Sequence, residues 1–153
     1  MNFNQNFKDT YVALDGKNVF IDSKTKLETE NAVIRDRLGG LLTGEKCGAV
    51  ASIRFLPLGA AEKEKIVSVF GNVVEEKQDS YLLEVTEAHI TVYANELRGH
   101  LYGACTLWTH YKNGIKEGYI YNVPLVEFRS VKMYLPAEEK LDEFYYMLDM
   151  FMA

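Results

Sequence analysis

The sequence predicts an α+β domain: a mixed, antiparallel-rich sheet with two helices packed on one face, followed by a C-terminal strand-helix unit. Three observations predict it. Between Tyr81 and Tyr93 apolar and polar residues alternate in two short runs across a Glu87-Ala88 link, the pattern of a hairpin. From Leu97 to Tyr111 the apolar residues Leu97, Leu101, Ala104, Cys105, Trp108 and Tyr111 share one helical face. At the end of the chain Leu141, Phe144, Tyr145, Leu148, Phe151 and Met152 form a second, broader stripe.

Taken in order, the Asn-rich first ten residues carry no periodicity and are expected as a loose arm or an edge element. Asp15-Gly16 is a turn signal, and Lys17 to Asp22 reads as a short strand after it. Asn31 to Leu42 places Ile34, Leu38, Leu41 and Leu42 at helical spacing, with Gly39-Gly40 weakening the last turn. The run AVASIRFLPL alternates as a strand until Pro57 stops it. AAEKEKIVSVFGNVV opens like a solvated helical turn and continues into β-branched residues, so its pattern supports either state.

Asn95 is a candidate N-cap for the helix Glu96 to Tyr111, and Asn113-Gly114 a stop. Gly118 to Val123 and Leu125 to Phe128 flank Pro124, which predicts an edge strand or a crossing connector because proline cannot donate to a ladder. Val131 to Leu135 is a further short strand. Pro136 then suits the first turn of the last helix, where its missing N–H costs least, and Glu138-Glu139 favour the positive end of the helix dipole.

Composition narrows the function classes. With 153 residues, 48% hydrophobic and 25% charged, the chain has room for one packed domain. A formal net charge of −5 supplies no electrostatic footprint for phosphate backbones or anionic lipid, so neither nucleic acid nor membrane is expected as a partner. The first residues lack a basic start followed by an apolar run, which points to the cytoplasm. Cys47 and Cys105 both sit in apolar surroundings and read as buried thiols.

Catalytic patterns are not found. His89 falls in the hairpin turn, while His100 and His110 lie off a common helical face; no His-Glu-x-x-His or Cys-x-x-Cys occurs, so no metal is expected. The adjacent pairs Glu75-Glu76, Glu138-Glu139 and Asp142-Glu143 point apart and read as solvated faces rather than as paired acids. Gly39-Gly40 follows a helix pattern and is misplaced for a phosphate loop. Trp108 belongs to a core-facing stripe. No residue is assigned as catalytic, cofactor-binding or metal-binding, and no cofactor is expected.

The stretch YLLEVTEAHITVYANELRGHLYGACTLWTHY resembles the non-catalytic N-terminal domain of family 20 glycoside hydrolases, the β-N-acetylhexosaminidases. That family has a Tyr-x-Leu-x-Val strand, a hairpin partner, and a helix with Tyr-Gly-x-x-Thr-Leu, which Tyr102, Gly103, Thr106 and Leu107 match. VPLVEFRS is similar to the family's linker at Pro124, Phe128 and Arg129, with Ser130 where Gly is usual, and VKMYLP with the last helix resembles the first strand and helix of its barrel.

The resemblance implies an accessory domain over residues 1–128 and the start of a (β/α) barrel over 129–153. In the family an Asp-Glu pair on a later barrel strand does the chemistry by a substrate-assisted route, and those residues would lie beyond Ala153. The family's Asp and sugar-binding Arg on the first barrel strand fall at Tyr134 and Ala137 here, which puts its sugar contact in doubt.

The partner implied is the remainder of the barrel, with carbohydrate bound only in the parent enzyme. Two alternatives stay open. One is a complete small interaction module whose terminal helix docks a partner or a second copy, the latter through Phe144, Leu148 and Phe151, and the other is a carbohydrate-binding module with exposed aromatics.

Overall fold

The structure is a computed structural model that describes residues 10–71, 76–110, 114–124 and 138–152. Six strands form one mixed sheet: β1 (Thr10–Val19), β2 (Lys26–Glu28), β3 (Ser52–Leu56), β4 (Tyr81–Val85), β5 (His89–Tyr93) and β6 (Ile115–Asn122). Their spatial order is β1-β6-β4-β5-β3-β2. The β1/β6, β6/β4 and β4/β5 pairs are antiparallel, and β5/β3 and β3/β2 are parallel, so the sheet is mixed and antiparallel-rich as expected.

The alternation in each strand decides which face it serves. One cross-strand row runs Phe55, Val92, Leu83, Ile120, Val12, and a second contains Leu27, Ile53, Ile90, Val85 and Leu14. On these aliphatic rows lie the helices α1 (Ala32–Gly39) and α3 (Leu97–His110), through Ile34 and Leu38 of the first and Ala104 and Leu107 of the second. Ile53, Leu83, Ile90 and Val92 are wholly inaccessible. Each such side chain contributes about 1.5–3 kcal/mol by leaving water. The two expected helices therefore do share one face.

The other face takes a third helix. AAEKEKIVSVF forms α2 (Ala60–Phe70), whose Ile66 packs with Leu58, Leu82, Tyr121 and Val123. Its first turn is closed by the Glu62 side chain, which accepts from the Gly59 N–H at 3.1 Å, and Gly71 ends it at φ +71°. Helix wins over the β-branched IVSV because Ile66 and Phe70, four residues apart, both reach the aromatic core on that face.

Several boundaries differ from expectation. Asp15-Gly16 makes no turn: β1 runs through it, and the irregularity it causes is a slip in register between Leu14 and Asn18. The piece read as an edge strand before Pro124 is instead β6, paired on both sides by β1 and β4. Proline is tolerated because β6 ends at Asn122, two residues short of it. His89 opens β5 rather than lying in the hairpin turn. Cys105 is buried, but Cys47 is exposed on a loop, and neither forms a disulfide.

The last helix is α4 (Leu141–Met152), entered through a single 3-10 turn at Glu138–Lys140. Phe144 and Leu148 are half-covered, while Tyr145 and Met147 are 58% and 44% exposed. The expected first residues of the arm, the strand Val131 to Leu135 and the pieces at 125–128 and 136–137 lie outside the described residues. No helix among the described residues is long and apolar enough to cross a membrane.

Candidate functional site

Strands β2, β3, β5 and β6 all run in one direction, and after each of the first three the chain enters a helix, α1, α2 or α3. Three helix starts therefore gather at one end of the sheet. The helices after β2 and β5 turn to one face, and the helix after β3 turns to the other. A crevice forms where neighbouring crossovers diverge in this way.

A cleft of about 600 Å³ lies there, lined by Lys26 to Asn31, Ile34, Phe55, Leu97 and His100. This is within the usual volume range of ligand pockets. Asn31 caps α1 by accepting from the Ile34 N–H at 3.1 Å. His100 donates from Nε2 to the Leu56 carbonyl at 3.0 Å, since a carbonyl can only accept, and its ring meets Phe55 edge-on at 5.7 Å. Leu97 is 51% exposed at the cleft margin.

A polar row crosses the α2 face of the sheet: Glu28, Arg54, Thr91, Glu84 and Tyr119 are successive register partners. Glu84 is its centre. It accepts from Lys65 Nζ at 2.8 Å, Tyr93 Oη at 2.9 Å and Tyr119 Oη at 3.2 Å, and the Lys65 ammonium also lies 5.5 Å over the Tyr119 ring. Burial pushes the Glu84 carboxyl up, but the Lys65 ammonium and the two hydroxyls outweigh it and hold the group below its usual 4.5. The Glu84 bond raises Lys65 against its burial, and burial with the neighbouring carboxylate raises both tyrosines. Such a glutamate stays ionised at neutral pH and cannot serve as a general acid.

Beside this row Ser52 and His89 are 3.0 Å apart, Oγ to Nδ1, which suggests a nucleophile and its base. Arg54 forbids that reading. Its guanidinium has only donors, so Nη2, 3.3 Å from His89 Nε2, makes Nε2 the acceptor and leaves the proton on Nδ1. Ser52 Oγ then accepts from both Nδ1–H and Arg54 Nε at 3.1 Å, and the imidazole has no lone pair with which to take the serine proton.

Asp22, buried in the loop after β1, accepts backbone N–H bonds from Lys46 at 3.0 Å and Lys24 at 2.8 Å. These bonds, that of Lys46 foremost, hold its carboxyl below the usual value, and they use it as a loop staple.

Of the carboxylate pairs, Asp142 and Glu143 are exposed, whereas Glu76 is half-buried and binds Lys63 Nζ at 2.6 Å and the Asn95 amide. Asn95 is thus turned to Glu76. No group of three or more metal-ligating side chains occurs among the described residues. Trp108 packs half-buried on the α1/α3 core with the Arg37 guanidinium 5.6 Å over its ring. Tyr134 and Ala137 lie outside the described residues. Sequence reasoning missed the cleft because it drew no strand at Lys26–Glu28, which with the residues after it supplies most of the lining, and left α2 undecided, so the strand-helix units that share this end were not recognised.

The residues that carried the family resemblance are packing residues. Thr106 Oγ1 and Tyr81 Oη are 2.6 Å apart, tying α3 to β4. Gly103 lets α3 approach β5 so closely that a Cβ would stand 2.4 Å from a Val92 methyl. Leu107 is fully buried.

No protein-family profile matches the sequence, and no characterised protein matches it in sequence. Among solved structures, that of CpGH84B, a family 84 glycoside hydrolase, is similar to this chain with a TM-score of 0.54 at 16% identity. The match covers 93% of this chain and 27% of that one, so the likeness is one of fold, to a part of a longer glycoside hydrolase.

Proposed function

We propose that this chain is an accessory, non-catalytic domain of a glycoside hydrolase of β-N-acetylhexosaminidase type, which buttresses a catalytic barrel. The observation that carries the reading is the fold likeness to CpGH84B, which takes in nearly all of this chain and little more than a quarter of that one. Two further points support it. The motif residues Tyr81, Gly103, Thr106 and Leu107 join helix to sheet, the part a structural domain keeps. The titratable clusters, Glu84 with Lys65 and Ser52 with His89, are locked into ion pairs and tautomers unsuited to proton transfer.

On this reading residues 1–128 form the accessory domain and 129–153 open the barrel, with α4 as its first helix. The parent enzyme would release terminal N-acetylhexosamine by substrate-assisted retaining catalysis, with its Asp-Glu pair outside this chain. The test is turnover of chromogenic N-acetylglucosaminides by the purified 153-residue chain. The expected result is no hydrolysis above buffer, and clear turnover overturns the reading.

The exposed Tyr145 and Met147 on α4 favour a second reading, a module that pairs with its own copy. In that case the mass in solution doubles, and Leu148→Glu returns it to that of a monomer.

A further inference from the structure

The cleft at the carboxyl end of β2 and β3 has chemistry that neither the fold likeness nor the packing explains. Leu27 and Phe55 give it apolar lining, with Leu97 at its margin, and beside the Lys26–Glu28 ion pair the side chains of Glu30, Asn31 and His100 retain hydrogen-bonding capacity. Glu30 makes no hydrogen bond or ion pair among the described residues, so its carboxylate is an available acceptor. Asn31 commits its carbonyl oxygen to the Ile34 N–H, which leaves two amide donors. His100 commits Nε2–H to the Leu56 carbonyl, which leaves Nδ1 as an acceptor in the neutral ring.

We infer that this cleft binds a neutral saccharide. A sugar hydroxyl both donates and accepts, so neighbouring hydroxyls need acceptors and donors close together, and the C–H face of a pyranose needs an apolar surface beneath it. Other ligand classes fit less well. An anion would meet Glu28 and Glu30 against the single ammonium of Lys26, itself 4.0 Å from Glu28, and a wholly apolar ligand would leave Glu30 and Asn31 desolvated without partners.

The cleft lies at the same end of the sheet as Asn122, where β6 finishes, but β6 is four strands or about 19 Å from β2. The inference rests on the proposed function only for the choice of sugar.

The test is an ¹H–¹⁵N NMR titration of the 153-residue chain with the β-1,4-linked trimer of N-acetylglucosamine, with cellotriose and maltotriose in parallel. The expected result is saturable shifts confined to residues 26–31, 55–56 and 97–100, with a Kd of about 1 mM or tighter. Glu30→Ala and His100→Ala should each weaken binding about three- to tenfold, the loss of one hydrogen bond. Glu30 is exposed and Glu30→Ala keeps the fold, so it carries the test if His100→Ala does not fold.

No saturable shift with any of the three sugars at about 10 mM overturns the inference, as do shifts centred elsewhere or indifferent to both substitutions. Binding of cellotriose or maltotriose in place of the N-acetylglucosamine trimer upholds the cleft and counts against the hexosaminidase reading.

Discussion

Glu84 has three donors from two layers: Lys65 from α2, and Tyr93 and Tyr119 from the strands on either side of its own. Removing its charge leaves Lys65 unpaired, so Glu84→Gln should cost about 1–2 kcal/mol at neutral pH in urea unfolding. The sign of the pH dependence follows from the lowered carboxyl. Its stabilisation is present above 4.5, its unfolded value, and is lost as pH falls through the lower folded value, so the gap between the parent chain and Glu84→Gln should close in acid below 4.5. A gap that persists unchanged in acid would remove the ion pair from the account. None of this was legible from the sequence, where Glu84 is only the polar member of an alternating strand. Its partners lie 9, 19 and 35 residues away, and only the register brings them together.

At the scale of elements, α3 was readable because its periodicity and its burial agree. Its close approach to β5 was not, because Gly103 carries no side chain to form a pattern. Gly103→Ala should destabilise by about 1–3 kcal/mol, since the added methyl meets Val92 at 2.4 Å and strand and helix must separate. Thermal unfolding checks this, and a neutral result would mean that α3 sits further from the sheet. Thr106→Val should cost about 1 kcal/mol by the same assay, by leaving Tyr81 Oη without its 2.6 Å partner. The hairpin β4/β5 was equally plain, whereas α2 was hidden by its β-branched residues. β6 was misplaced at an edge because Pro124 was read as interrupting a strand that in fact ends before it. Local propensity lost in both cases to contacts made across the sheet.

For the whole molecule, the class and the sharing of one face by two helices followed from alternation and spacing, since those patterns record which side each element buries. The cleft did not, because it exists only where three crossovers end together. The chain has a fold similar to part of a longer glycoside hydrolase, and Glu84 with Lys65 and His89 with Arg54 are tied to one another within it. The central claim is that it works as a part, attached to a barrel of roughly 200 residues or more. The mass of the natural polypeptide, measured by immunoblot with an antibody to this chain, tests that most directly. The account predicts about 40 kDa or more. A natural polypeptide of 17.5 kDa, the mass of these 153 residues alone, would contradict it.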